Sequence, residues 1–249
     1  MMATNESPVV LVVGAAGGTG AALCRRLKAR GVTLVMSGRN VAALDALSAE
    51  LGGDVMPLDA RDIAATGAVV DAVVAKYGGL HGAVNLAGSI VLKAAHATSE
   101  QEWLDVIATN LTTAFSLVRA AAPAIAKSGG GSLVLMSSAA ARLGLANHDA
   151  IAATKAGVQG LALSSAATYA PRGVRINVVA PGLVRTPLAA RLVNNEASLK
   201  ASESMHALGR IGEPEDVASM IDWLLDAKQG WVTGQVFGVD GGLATLRAR

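Results

Sequence analysis

Gly14, Gly18 and Gly20 stand in a G-x-x-x-G-x-G spacing directly after the apolar run Pro8-Val-Val-Leu-Val-Val13, where an extended segment must turn sharply into a helix. Such a turn is an anion site. Glycine permits positive φ and close backbone approach, and the free N–H groups of a helix start, here around Thr19, point at a phosphate. After the first strand of a βαβ unit the expected anion is a dinucleotide pyrophosphate, although an ordinary tight strand-to-helix turn uses the same residues. The more common G-x-G-x-x-G spacing is absent, as is the G-K-S/T of nucleotide triphosphatases. The second apolar run ends in Ser37-Gly38-Arg39-Asn40, with no carboxylate to bind a ribose 2′-hydroxyl. A planar guanidinium there suits a 2′-phosphate, so Arg39 favours NADP(H) over NAD(H), although it also reads as a solvated loop residue.

These residues need a scaffold, and the chain supplies one. It has 249 residues, 52% of them hydrophobic and 16% charged, which excludes a disordered chain and permits a core of ordinary size. Runs at Val9–Val13, Val32–Ser37, Asp54–Leu58, Gly82–Leu86, Ser132–Ser137, Arg175–Val179 and Gln235–Val239 read as strands, separated by longer alanine- and leucine-rich segments of helical period. That alternation predicts an α/β fold, a single-domain Rossmann-type doubly wound parallel sheet with helices on both faces, spanning residues 1–249. Twenty-one basic and nineteen acidic side chains are scattered, so no nucleic-acid stripe or membrane patch is expected. The single cysteine, Cys24, and four separated histidines give no metal site. Glu6 and Pro8 precede the first apolar run in place of a cationic segment, and a cytoplasmic protein is expected.

Further motifs fall in a fixed order: Asn85-Leu-Ala-Gly88 after the fourth strand, Asn110 in Thr-Asn-Leu, Pro181-Gly182 after the sixth, then Thr233-Gly234 and Asp240-Gly241-Gly242. With the glycine turn they resemble the short-chain dehydrogenase/reductase family over nearly the whole chain. The resemblance implies that Asn85, Ala87, Gly88, Pro181 and Gly182 belong to the cofactor site and that Asp59 and Ala60 face adenine, Asp59 being otherwise a helix cap. It also implies that Thr186 meets the nicotinamide carboxamide and that residues of about 187–212 form a substrate lid. Leu188, Leu192, Met205 and Leu208 there read as an apolar wall or as ordinary helix packing. A homo-oligomer is implied as well, a tetramer favoured over a dimer, with the alanine-rich Ala114–Ala126 helix allowing close approach.

Members of that family place a tyrosine four residues before a lysine and thirteen after a serine. Lys155 and Ser138 fit, but the intervening position is Ile151. By resemblance Ser138 binds the substrate oxygen, Asn110 holds a water in a relay to Lys155, and Lys155 also binds the nicotinamide ribose. Isoleucine transfers no proton. Tyr77 and Tyr169 resemble structural tyrosines, and His148 and Asp149, three and two residues before Ile151, read as exposed loop residues or as proton sources through water. The expected function is an NADP(H)-dependent oxidoreductase of carbonyl and alcohol groups, with a small-molecule substrate and ordinary proton transfer impaired at Ile151. The alternatives are a non-catalytic NADP(H)-binding protein, or altered chemistry in the same pocket: C=C or C=N reduction, elimination or isomerisation.

Overall fold

Successive side chains of a strand point to opposite faces, and the run Val9–Val13 buries both sets. In the computed structural model, which describes residues 7–247, Val9, Leu11 and Val13 enter one apolar core while Val10 and Val12 enter a second. This strand, β1, lies inside a seven-stranded sheet with β2 (Thr33–Gly38), β3 (Asp54–Pro57), β4 (Gly82–Asn85), β5 (Gly131–Met136), β6 (Val174–Pro181) and β7 (Val236–Val239). All neighbours pair in parallel, in the order β3-β2-β1-β4-β5-β6-β7. Glu6 and the other N-terminal residues on which the localisation reading rests lie outside the described residues.

Helices cover both faces. α1 (Gly18–Ala29), α2 (Val41–Leu51) and a late helix at Pro214–Leu225 pack on the Val10 side, and the helices Ile63–Tyr77, Thr113–Lys127 and Asp149–Tyr169 pack on the other. In chain order the remaining helices are α3 (Ile63–Tyr77), α4 (Glu100–Ile107), α5 (Thr113–Lys127), α6 (Asp149–Tyr169), α7 (Ala190–Val193), α8 (Glu196–Met205) and α9 (Pro214–Leu225). Their ends follow local chemistry. Asn40 accepts from the Ala43 N–H at the head of α2, Asp62 from the Ala65 N–H at the head of α3, and Ser99 with Glu102 closes a capping box on α4. Asp62, not Asp59, is therefore the cap near the end of β3.

β1 leads outward through β2 to β3, whereas β4 starts the other half of the sheet on the opposite side of β1. Above the carboxyl ends of β1 and β4 the connections diverge and leave a crevice, the usual ligand position in such sheets. Between α4 and α5 the helix widens into a π-turn at Ala108–Thr112, which carries Asn110. Wide turns of this kind displace one residue from the regular helical face.

Candidate active site

The glycine turn forms the floor of the crevice. Gly14 has φ +85°, and a Cβ there would press within 3.0 Å of the Leu86 backbone. A Cβ on Gly20 would fall 2.3 Å from the Gly14 carbonyl oxygen and 2.6 Å from that of Ala15, so α1 can start against this turn only with glycine there. Gly17 heads α1 and supplies no side-chain cap. The first-turn N–H groups at Gly18, Thr19 and Gly20 are thus left for an external acceptor. A groove walled by backbone, with uncapped donors at its base, fits a dinucleotide pyrophosphate.

The groove continues in two directions. Towards β2 and β3 it is lined by Arg39, Asp59, Ala60, Arg61, Ala87 and Gly88. Arg61 Nη2 donates to Asp59 Oδ2 at 2.6 Å and its Nε to Oδ1 at 3.0 Å. The Asp59 carboxyl is held below the usual carboxylate range chiefly by that hydrogen-bonded guanidinium, with the Arg39 charge adding to it. Two cations and one neutralised carboxylate therefore border this end. Arg61 carried no signal in the sequence beyond standing two residues after Asp59.

Towards β5 and β6 the cleft is lined by Gly14, Gly18, Thr19, Gly20, Ala87, Gly88, Asn110, Ser138, Ile151, Lys155, Pro181, Gly182 and Thr186. Residues far apart in sequence thus meet in one cleft. Lys155, on α6, is 7% exposed, and its ammonium donates to the Met136 carbonyl at 3.0 Å. Burial lowers its pKa from 10.5 to about 8. Asn110 Oδ1 accepts from the Ser89 N–H at 3.1 Å, and its Nδ2 donates to Ser89 Oγ at 2.9 Å and to the Val106 carbonyl at 3.1 Å. Asn110 and Lys155 flank the same point beside Gly88: a Cβ there would lie 3.1 Å from Asn110 Oδ1 and 3.6 Å from Lys155 Nζ.

Ser138 Oγ accepts from the Ala140 N–H at 3.1 Å, which leaves its own O–H to donate into the cleft. Its neighbour Ser137 is occupied otherwise, donating to the Lys155 carbonyl and accepting from Gln159 Nε2 at 2.8 Å each, and so ties β5 to α6. Asn85 stands below the cleft wall. It is buried, its Nδ2 donating to Thr113 Oγ1 at 3.0 Å and its Oδ1 accepting from the Ala87 N–H at 3.1 Å, so it shapes the turn that Ala87 and Gly88 present. Thr186 places its methyl group against Gly18, where a Cβ would lie 2.9 Å from Thr186 Cγ2.

Ile151 is 5% exposed and forms a wall shared with a second, mostly apolar cavity of about 350 Å³. Leu92, Leu145, Leu192, Met205 and Leu243 line it, with Ser138, His148, Ser202 and His206 as polar members. Leu188 lines the first cleft and Leu192 and Met205 line the second cavity, whereas Leu208 is 71% exposed. His148 is half-buried in this cavity, which corrects its reading as an exposed loop residue; Asp149 is exposed. Neither tyrosine reaches the cleft: Tyr77 donates its hydroxyl to Asp54 Oδ2 at 2.6 Å, and Tyr169 packs against the core. Cys24 is fully buried, and desolvation pushes its thiol up to about 12, which makes it an inert packing residue.

Residues 14–244 match the family model described as enoyl-(acyl carrier protein) reductase. The chain is 36% identical over 243 residues to a 3-oxoacyl-[acyl-carrier-protein] reductase of Thermotoga maritima, covering 96% of this chain and 98% of the relative. The chain belongs to the short-chain dehydrogenase/reductase family. Another relative of this short-chain dehydrogenase/reductase is a cyclohexanol dehydrogenase of an Acinetobacter species, 36% identical, with 95% of this chain and 94% of the relative covered. Among solved structures, the actinorhodin polyketide ketoreductase with NADPH superposes with a TM-score of 0.90 at 31% identity, over 98% of this chain and all (100%) of that one. A short-chain type dehydrogenase/reductase from Mycobacterium ulcerans gives 0.91 at 33% identity, over 98% and 92%. The family is one of oxidoreductases that use a nicotinamide cofactor. Among the described residues no helix is long and apolar enough to cross a membrane.

Proposed function

We propose that this chain is an NADP(H)-dependent oxidoreductase that interconverts a ketone and a secondary alcohol on a compact apolar body, without the phenol that usually moves the proton. The observation that carries this reading is the junction at Ser138 and Ile151, which line both the glycine-floored cleft and the apolar cavity. A carbonyl there would have a hydroxyl donor on one side and the cofactor's reactive ring on the other. When bound, the dihydronicotinamide supplies a hydride.

The chain's own residues do the rest. The first turn of α1 binds the pyrophosphate, and the buried Lys155 ammonium orients a ribose. Ser138 donates to the substrate oxygen, while Asn110, fixed by Ser89 and Val106, holds a water towards Lys155. Ile151 keeps the wall dry and offers no proton. With no other positioned acid, absence of the phenol would lower turnover by about 10²–10⁴-fold. Residues of about 187–212, including α7 and α8, serve as the substrate lid. Cyclohexanol dehydrogenase among the relatives favours an alicyclic substrate for the cavity of about 350 Å³.

Preference for NADP(H) rests on Arg39 and Arg61 at the adenosine end and on the absence of a carboxylate at the end of β2. Fluorescence titration with NADPH and NADH, followed by a panel of ketones and alcohols, tests both halves of the proposal. Arg39→Asp is expected to shift the NADPH:NADH affinity ratio by about 10- to 100-fold, the scale of a charge-assisted phosphate contact; an unchanged ratio removes the phosphate assignment. Exposed Trp103, Leu104 and Phe115 on α4 and α5 support a homo-oligomer, a tetramer by preference. Light scattering that shows only monomer at micromolar concentration would reject it.

A further inference from the structure

Two histidines line the apolar cavity beyond Ile151, and their hydrogen bonds separate them. His206, 3% exposed, uses both ring nitrogens: Nδ1 lies 2.6 Å from the Ser202 carbonyl and must donate to it, and Nε2 accepts from the Leu183 N–H at 3.3 Å. Its ring is a latch between α8 and the segment after β6. His148 uses one. Its Nδ1 lies 2.7 Å from the Ala146 carbonyl, an acceptor only, so the hydrogen sits on Nδ1, and no described group engages Nε2. The backbone is held at this point as well, by a bridge between Lys93 and His148 and by left-handed Asn147 at φ 60° just before it.

We propose that His148 is the proton donor and acceptor of this active site, reaching the substrate oxygen from the cavity side of Ile151 and standing in for the missing phenol. The proposal rests on the carbonyl/alcohol reading above. His148 is the N-cap residue of α6, three residues before Ile151, and both line the apolar cavity. The cavity they share with Ser138 meets the dinucleotide cleft at Ser138 and Ile151. A carbonyl oxygen at that junction receives the Ser138 O–H from one side and the imidazolium Nε2–H from the other.

In reduction, a dihydronicotinamide held by the first turn of α1 and by Lys155 would be the reductant, supplying a hydride with its electron pair for the carbonyl carbon. The C=O π pair moves to oxygen, the imidazolium Nε2–H bond breaks and an O–H bond forms, leaving alcohol and neutral imidazole, which takes a proton back from water. In the reverse direction neutral Nε2 removes the alcohol proton. The Nδ1–H bond to Ala146 fixes the ring in the tautomer that this exchange requires, and histidine is the residue type suited to it near neutral pH. The titratable groups nearby are Asp149, its chain neighbour; Lys93, whose ammonium pairs with Glu102; and His206 across the cavity, its ring engaged through both nitrogens.

The test compares the full-length chain with His148→Gln, Ile151→Tyr, their double variant and Asp149→Asn, using cyclohexanone and other apolar ketones at saturating NADPH. His148→Gln is expected to lower kcat by about 10²-fold or more with NADPH affinity unchanged, and Asp149→Asn to leave the rate unchanged. Adding Ile151→Tyr to His148→Gln should restore turnover by placing a phenol beside Lys155. Independently of activity, nitrogen-15 NMR should show the neutral His148 ring, identified by its loss in His148→Gln, as the Nδ1–H tautomer. An unchanged rate in His148→Gln, or an Nε2–H tautomer, overturns the proposal. If the parent chain is inactive on every ketone but Ile151→Tyr is active, the His148 assignment fails and the carbonyl reading stands. If both are inactive while NADPH binds, the carbonyl reading fails and takes the assignment with it.

Discussion

The dinucleotide end of the cleft is walled largely by backbone, whereas the cavity beyond Ile151 is walled by side chains. At the first end Gly14 and Gly20 admit no Cβ, and the donors are peptide N–H groups at the head of α1. At the second end Leu92, Leu145, Leu192 and Met205 come from four separate segments, with Ser138 and His148 among the polar residues. Backbone walls bind what every member of a fold shares, because their shape follows from the chain's path. Side-chain walls can change without disturbing that path. An isoleucine at position 151 is therefore compatible with an intact dinucleotide groove.

The contrast predicts unequal sensitivity to single methyl groups. Gly20→Ala should give the largest loss, since its Cβ would lie 2.3 Å from one carbonyl oxygen and 2.6 Å from another, and backbone cannot rotate away. NADPH affinity is expected to fall by about 100-fold or more, with a lower Tm, because the whole turn must shift. Near-normal binding in fluorescence titration would show that the turn is softer than its contacts imply.

Lys155, in the wall of the dinucleotide cleft, provides the next largest effect. Its folded-state pKa, about 8, lies below the unfolded value of 10.5. Between those values the unfolded chain binds more protons than the folded one, so stability rises with pH across that window; below pH 8 the full burden of burying the ammonium is present. The shift corresponds to about 3 kcal/mol. Urea unfolding of the cofactor-free chain should therefore show its stability gaining on that of Lys155→Met by up to this amount between pH 7 and pH 10.5. A pH-independent difference would mean that the ammonium is solvated in the folded protein.

Legibility in the sequence follows the same division. All seven strands were marked by apolar runs to within about two residues; the inner strands β1, β2, β4, β5 and β6 are buried on both faces and read as continuous apolar segments, whereas the edge strands β3 and β7 are only partly buried. The glycine turn was read from its spacing after β1, and Lys155 and Ser138 from their match to the family's serine and lysine spacing; all of them line one cleft. Arg61 and Ser89 were not, since what matters about them is a bond to another residue: Arg61 to Asp59, Ser89 to Asn110. His148 was misread as exposed because nothing local shows that Leu92, Leu192 and Met205 fold over it. Asn85 was assigned to the cofactor wall, yet its amide is spent on Thr113 and Ala87 beneath that wall.

The smallest effect is expected where the side-chain wall is most exposed, at Met205 on the last turn of α8. Met205 is 44% exposed, and α8 buries none of its residues, so truncation removes little packing. Met205→Ala should accordingly change global stability by no more than about 0.5 kcal/mol, the usual range for surface positions. NADPH affinity should not move, because the residue lines the apolar cavity and not the dinucleotide cleft. What it does contribute is apolar surface to a ligand. Losing a few methylene contacts from a hydrophobic pocket lowers kcat/KM by about 10-fold, and the loss should appear mainly in KM, since the side chain touches the body of the substrate and not the reacting oxygen. The decrease should be larger for cyclohexanone than for acetone, which is too small to span the cavity from Ser138 to α8. Equal losses for both ketones, or a fall in kcat alone, would show that α8 acts on closure of the site and not as a wall for the substrate.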